Sequence, residues 1–483
     1  MNFSIGVYGI RCSYYSISGD GVLERALASS FKSRIPFIAR SPLVAIFLSM
    51  VTVGGVSSAV KLISVVKGSL IARQFGVSTD LDAFYIAFLL PSFVSDLFAG
   101  ATVVALVPLY VRAREREGPE AAQKLFGSIA TGATVGLACI AVILWALSPT
   151  LIPFFGTSFQ PQQLMLTRSL CSYLIPLIPL TGLSAIFTAV LTARNRLAFA
   201  TLAPAVSTLF VIFSIYGFAH RWGIYAFAIG TTLGLAAQVV ALAVVLKRLD
   251  LLPRFQWSGF TPAITSFLRQ LVIVAVGSSI FNLTDMVDLY YAAATGPGNV
   301  SALNYGNKVV VMIVGLAGVA VTTAVLPHMS KAFSTRDFAG AKQIIHTYSS
   351  VILLVTIPVT ILLIRLSPAI VTILFERNAF TRSDTLLVSA IQRAFLLQIP
   401  LHVLGMLFVS IVWALRANWV FLVINPICLL GKIVLNSILI TTYGVAGIGL
   451  ATSIIYGLSC LLLLLAITIL MKRDADLCRS NAR

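Results

Sequence analysis

The stretch VSALNYGNKVVVMIVGLAGVAVTTAVLP, residues 300–327, is apolar over a length that crosses a bilayer, yet it carries Lys308 about seven residues inside its start. A helical span needs roughly 20 apolar residues. A charge at that depth costs roughly 3 kcal/mol even on the lenient insertion scale, and it usually faces a bundle interior or a wet cavity. The same anomaly recurs at Lys61, Asp285, Asp288 and Lys432. A set that is mostly cationic points to a central cavity built for an anionic cargo.

The rest of the chain agrees with a membrane setting. Of 483 residues, 58% are hydrophobic and 10% charged, against about 25% charged in a soluble domain. The mean hydropathy is +0.97. Twelve spans can be read, at roughly 42–66, 83–110, 127–148, 168–192, 198–218, 223–246, 266–290, 301–326, 345–366, 386–414, 419–440 and 445–471. The net charge of +18 does not indicate nucleic acid, because the basic residues sit mainly in short loops between apolar runs. One side of the membrane collects 22 Lys and Arg, including Arg112, Arg114, Arg116, Lys124, Lys247 and Arg248, and the other has Lys67, Arg73, Arg221, Arg377 and Arg382. By the positive-inside rule both termini are expected in the cytoplasm. Residues 1–41 form a basic tail without a span, and their first apolar run is too long for a signal-peptide core.

The two halves repeat. Val107-Pro108 recurs as Leu326-Pro327, and LSPT at 147–150 as LSPA at 366–369, both 219 residues later. Arg194 followed by Pro204 recurs as Arg416 followed by Pro426, at an offset of 222. Six spans are an even number, so both copies enter from the same side, and the cargo is expected between two bundles related by an axis along the membrane normal. The expected fold is all-α integral membrane, with about 12 transmembrane helices in two parallel-repeat six-helix lobes. The expected lobes are 42–250 and 251–471, with a tail at 472–483. Prolines inside the spans, such as Pro91, Pro204, Pro358 and Pro426, are either tolerated through neighbouring contacts or bend helices for alternating access.

Several motifs carry less. Asp80-Leu-Asp82 has the DxD spacing of sugar-nucleotide transferases, but it abuts a span rather than a soluble nucleotide pocket. Asp474 and Asp476 repeat the spacing in the tail. The six cysteines are scattered, with neither CxxC nor a Cys/His cluster, so neither a metal site nor a disulfide framework is expected. Lys61 and Lys67 are six residues apart, about 600° of helix, so an unbroken helix does not place them on one face; a bend near Gly68 or Gly54-Gly55 is needed. Lys67 at the mouth of its span is explained by snorkelling, whereas the deeper Lys61 is read as facing a cavity. Lys308 could pair with Asp285 or Asp288, or meet a phosphate of the cargo. There is no Walker A motif, which argues against direct ATP coupling.

At two stretches, Ala72–Pro108 (ARQFGVSTDLDAFYIAFLLPSFVSDLF and onward to VP) and Val300–Phe333, echoed by LFERNAFT at 374–381, the chain resembles the lipid II flippase family (MurJ/MviN-like) of the multidrug/oligosaccharidyl-lipid/polysaccharide exporter superfamily. The resemblance covers roughly residues 44–471. It implies a multi-pass protein of the bacterial inner membrane that moves polyprenyl-diphosphate-linked sugars outward for peptidoglycan or polysaccharide synthesis. It implies no enzymatic activity and no cofactor, with the membrane potential or a coupled cation as energy source. It also implies a cavity whose basic residues hold the diphosphate. Family arginines align with Lys61, Lys67 and Lys308, and a family aspartate with Asp82, which with Arg73 is assigned to gating or structure. Asp285 and Asp288 are candidates for a coupling ion. Two departures stand out: a further family arginine falls at Ser95 or Asp96, and the family often has fourteen spans where this chain has twelve. The expected partners are the lipid-linked sugar and membrane lipids, without nucleic acid, and the expected state is a monomer. The competing readings are a cation-coupled small-molecule exporter, for which Asp285 and Asp288 speak, and a membrane glycan polymerase or ligase, which would need a long outer loop.

Overall fold

The computed structural model describes residues 42–253, 256–257, 259–334, 338–415 and 417–481. The tail before residue 42 and the loop residues Arg254, Arg336 and Arg416 lie outside them, as do the side chains of Asp474 and Asp476. All regular structure among the described residues is helical. The first half contains α1 (Pro42–Phe75), α2 (Thr79–Glu117), α3 (Pro119–Phe155), α4 (Pro161–Leu174), α5 (Leu177–Ala193), α6 (Leu197–Trp222) and α7 (Ile224–Arg248). The second contains α8 (Pro262–Ala294), α9 (Asn299–Ser334), α10 (Phe338–Phe375), α11 (Arg382–Leu396), α12 (Gln398–Ala414), α13 (Trp419–Tyr443) and α14 (Ala446–Asn481).

Each helix of the second half starts 219 to 222 residues after its counterpart in the first. The fourth span of each half is broken in the same place, into α4 and α5 and into α11 and α12, and both broken spans are 33 residues long. Prolines mark these breaks. Pro176 precedes α5, and Pro179 and Pro400 lie in the first turns of α5 and α12, where a missing N–H costs nothing. The fifth and sixth spans of each half are joined through a single left-handed glycine, Gly223 (φ 53°) or Gly444 (φ 56°). Among the described residues, ten helical segments are long and apolar enough to cross a bilayer. With α1 and α8, continuous helices of 34 and 33 residues, they make the twelve.

Burial follows a membrane logic. Small residues line the helix contacts: Ala72, Ala83, Ala105, Ala122 and Ala130 are wholly buried, because close backbone approach and dispersion hold helices together where lipid offers no hydrophobic drive. Large apolar side chains such as Val142, Phe213, Leu354 and Ile469 remain exposed, as a lipid-facing surface requires. Pro91, Pro108, Pro204, Pro358 and Pro426 sit inside helices that continue past them. The segment after α7 packs back on the first half, where Gln123 donates to the carbonyl of Leu252 at 3.1 Å and Ile264 and Phe267 join the core of α2, α3, α5 and α7.

The first helix corrects one expectation. It runs unbroken past Gly68 to Phe75, nine residues beyond the expected end of span 1, because Ile71 and Ala72 bury against the core. Lys67 therefore lies within a helix rather than at its mouth, and no bend turns it onto the face of Lys61. Gly76 ends α1 with φ 57°, its N–H donating to Ala72 O at 2.8 Å, in the left-handed cap that favours glycine. A Cβ there would lie 2.2 Å from the carbonyl oxygen of Ala379. Gly76→Ala therefore combines about 1–2 kcal/mol of left-handed strain with about 1–3 kcal/mol of overpacking. Gly118→Ala has φ 93° but open space around its Cβ. Thermal unfolding in detergent should show a clearly larger drop for Gly76→Ala, and equal drops would mean that residues 376–381 do not press on α1.

Candidate functional site: a closed end, a lysine face and an acidic cavity

At one end of the bundle the two halves are bonded together. Asp82, in the first turn of α2 and wholly buried, accepts hydrogen bonds from the backbone N–H of Gly298 at 2.6 Å and of Ser301 at 2.7 Å. These are donors that open α9 and that a helix start leaves unsatisfied. The carboxylate thus caps a helix of the other half, where the helix dipole also favours a negative charge. Asp82 and Ser301 are 219 residues apart, equivalent positions of the repeat. Around them Val77 packs on Gly298, Ser69 Oγ donates to the carbonyl of Leu374, and Ala379 N–H donates to Arg73 O at 3.2 Å. Ser158 Oγ donates to Ala293 O, and the rings of Phe154 and Tyr290 lie 5.5 Å apart. Backbone amides, rather than the neighbouring cations Lys67 or Arg73, meet the Asp82 carboxylate. Arg73 contributes its carbonyl, and its side chain is exposed. Beside it Glu376 takes bonds from Thr385 and Thr372 and pairs with Arg382 at 3.2 Å. These bonds hold its carboxyl below the usual range. Asp80 is exposed and Asp82 is used up by α9, so the DxD spacing builds no metal site.

Toward the membrane interior, α1 and α9 bring Lys61, Lys67 and Lys308 to one region. All three are half-buried, and among the described residues none is in an ion pair. The end of Lys308 lies over Gly68 of α1, where a Cβ would sit 2.8 Å from both its Cε and Nζ. Lys61 Nζ lies over Gly315 of α9, 3.0 Å from where that Cβ would be. Lys67 is the neighbour of Gly68 on α1.

A cavity of about 240 Å³ opens between α2, α8 and α9. Its polar lining is Ser92, Asp96, Asn282, Asp285, Asn304 and Asn307. Of Ser95 and Asp96, the two positions at which the family resemblance implies an arginine, Asp96 is exposed into it, while Ser95 is buried with a hydroxyl that has no partner among the described residues. Asp288 also touches this cavity but is engaged. It pairs with Lys432 at 2.9 Å, accepts from Asn436 Nδ2 at 2.9 Å, and is approached by Thr452 Oγ1, to which Lys432 also donates. Lys308 therefore pairs with neither Asp285 nor Asp288. Of the two candidate ion ligands, Asp288 is engaged by these partners, whereas Asp285 is exposed and lines both this cavity and a smaller one of about 50 Å³ beside Lys432. The role of Lys432 was not legible in the sequence, although Lys432 and Asn436 stand one helical turn apart in an apolar run.

With Lys432 only 2% exposed, removing one partner strands a buried charge. Lys432→Ala should cost about 3–5 kcal/mol, whereas replacing both partners by apolar residues of similar size (Asp288→Leu with Lys432→Met) should recover most of it. Thermal unfolding checks this, and a double variant no more stable than Lys432→Ala would contradict it.

A family model described as lipid II flippase MurJ matches residues 71–478. A probable lipid II flippase MurJ of Rhizobium tropici is 26% identical over 367 residues, covering 73% of this chain and 68% of that one. One of Thermotoga maritima is 26% identical over 413 residues, covering 82% and 80%. Among solved structures, one titled "Lipid II flippase MurJ, inward closed conformation" superposes with a TM-score of 0.75 at 24% identity, over 86% of this chain and 87% of that one. An inward-facing multidrug resistance MATE family transporter, described as of the MOP superfamily, superposes at 0.68 with 15% identity, over 87% and 99%. By the span of the family match, this chain is a member of the lipid II flippase MurJ family.

Proposed function

We propose that this protein is a membrane transporter that flips a polyprenyl-diphosphate-linked sugar, lipid II or a related lipid-linked oligosaccharide, from the cytoplasmic to the outer leaflet for cell-wall or polysaccharide synthesis. The observation that carries this reading is the unpaired cationic group, Lys61, Lys67 and Lys308, between α1 and α9 at membrane depth. Three ammonium groups kept without carboxylates in a low-dielectric setting suit a mobile anion better than a structural role. The cargo would enter from the cytoplasm, the end shut by Asp82 would be the outer gate, and both termini would be cytoplasmic.

With Asp288 held by Lys432, a coupling cation or proton has Asp285 as its open carboxylate; the membrane potential alone is the other energy source. The acidic, amide-rich cavity favours a second reading, a cation-coupled exporter of small cationic molecules. Asp96 and Asp285 would then matter more to transport than the lysines.

Charge-assisted hydrogen bonds from ammonium to phosphate contribute roughly 1.5–3 kcal/mol each. Lys61→Ala or Lys308→Ala should lower flipping of a labelled polyprenyl-diphosphate sugar in proteoliposomes about ten- to a hundred-fold, with Arg partly tolerated. Glu should be worse than Ala at either position, since like charge then faces the phosphate. If Lys61→Glu and Lys308→Glu transport like the parent, the cationic mechanism is wrong. For topology, a reporter active only outside the cytoplasm and fused after Arg483 should stay silent; strong activity would reverse the orientation.

A further inference from the structure

The positions of the two lysine head groups share a pattern that neither the fold nor the proposed transport requires. Lys61 and Gly68 are seven residues apart on α1, and Lys308 and Gly315 are seven apart on α9. Seven residues is about two helical turns, which returns to nearly the same face. Lys61 lies over Gly315, and Lys308 lies over Gly68. The match is reciprocal and antiparallel, with each helix offering one lysine and one glycine at the same spacing.

From this geometry we propose that Gly68 and Gly315 are positioning residues of the cargo site. Each is a bare stretch of backbone that seats the ammonium of the opposite helix. The inference rests on the reading of Lys61 and Lys308 as the diphosphate-binding pair, and it says what sets their separation.

Two seats two turns apart hold the positive charges roughly 10 Å apart along the helix axes. A diphosphate bridging them by two charge-assisted bonds of about 2.8 Å fills more of that gap than a single phosphate does. The seats thus favour a diphosphate over a monophosphate linkage. A Cβ at either glycine would displace the far end of a flexible lysine rather than backbone. Stability should therefore change little, and the location of the charge should change. An ordinary packing glycine would behave in the opposite way.

The experiment uses the full-length protein and the variants Gly68→Ala and Gly315→Ala. Gly100→Ala in α2, with nothing within 4 Å of its Cβ, is the control. Lysine amines are reductively methylated with a carbon-13 label, and the Lys61 and Lys308 signals are identified by Lys→Arg variants. Gly68→Ala should shift the Lys308 signal and leave Lys61 in place, and Gly315→Ala should do the reverse. The second arm measures flipping of labelled polyprenyl-diphosphate and polyprenyl-monophosphate sugars. Each seat variant should lower diphosphate flipping about ten-fold and narrow the preference over monophosphate. The loss from Gly68→Ala should vanish in a Lys308→Ala background but persist in a Lys61→Ala background. If the seat variants leave both lysine signals unmoved, or move both alike, the assignment is overturned. Losses that add in every background overturn it too. A parent that flips neither lipid defeats the transport reading instead, and the labelled-lysine arm still decides whether the seats exist.

Discussion

The bond between the Asp82 carboxylate and the opening amides of α9 is the constraint on which the rest of the arrangement turns. It is the point where the two halves meet at equivalent positions of the repeat, and it holds one end shut. Its chemistry suits a reversible contact. A buried carboxylate taking two backbone N–H bonds at a helix start is well satisfied while the halves are together. Once they part, water can replace both sets of partners with little net loss, because hydrogen bonding to solvent offsets most of what is broken. A salt bridge to Lys67 or Arg73 would have drawn a cation away from the cavity. With backbone used instead, Lys61, Lys67 and Lys308 are in no ion pair among the described residues.

The scaffold is duplicated and the charges are not. Helix starts, the broken fourth spans and the glycine joints between the fifth and sixth spans all recur at offsets of 219 to 222. None of the residues 219 to 222 positions from Lys61, Lys308 and Lys432 is charged. The symmetric part is therefore the scaffold of helices, breaks and joints, and the asymmetric part is the set of charged and polar side chains between them. Cations lie between α1 and α9. Acids and amides lie between α2, α8 and α9. A closed Asp288–Lys432 pair ties α8 to α13. That last pair lies apart from Lys61, Lys67 and Lys308; it ties α8 to α13 and α14, while the start of α8 stays packed on the first half. The helix thus links both bundles.

Spans and repeat were legible in the sequence because each rests on local signals: apolar length, basic loops, and short proline-containing motifs at a fixed offset; the breaks that divide the fourth span of each half were not read there. The depth of Lys61 and Lys308 was legible for the same reason. What closes the end was not. The partner of Asp82 is backbone, which every residue carries, and the only trace was the Gly296-Pro297-Gly298 turn before a helix whose first N–H groups lack partners. The partner of Asp288 was hidden differently, since Lys432 is 144 residues away and meets it only once α8 and α13 pack. The end of α1 was misread because Lys67 looked like a boundary, whereas burial of Ile71 and Ala72 carries the helix on to Gly76.

The lysines that stand where the family resemblance implies arginines become intelligible against the two glycines, if these seat them as proposed. A guanidinium is a broad planar fork that holds phosphate in two bonds at once, and it needs room to lie flat. An ammonium is compact and strongly hydrated, with three rotatable donors. It can settle over a bare glycine and swing its donors toward an arriving anion without moving its stem far. In exchange it loses the bidentate grip, and with it some tightness and geometric selectivity at each phosphate. Fixed separation between two seated ammonium groups restores part of that selectivity, because discrimination then depends on the distance between charges rather than on the shape of each contact. A carrier that must also release its cargo gains from this arrangement. Single-point contacts separate more readily than forks once the helices bearing them move apart.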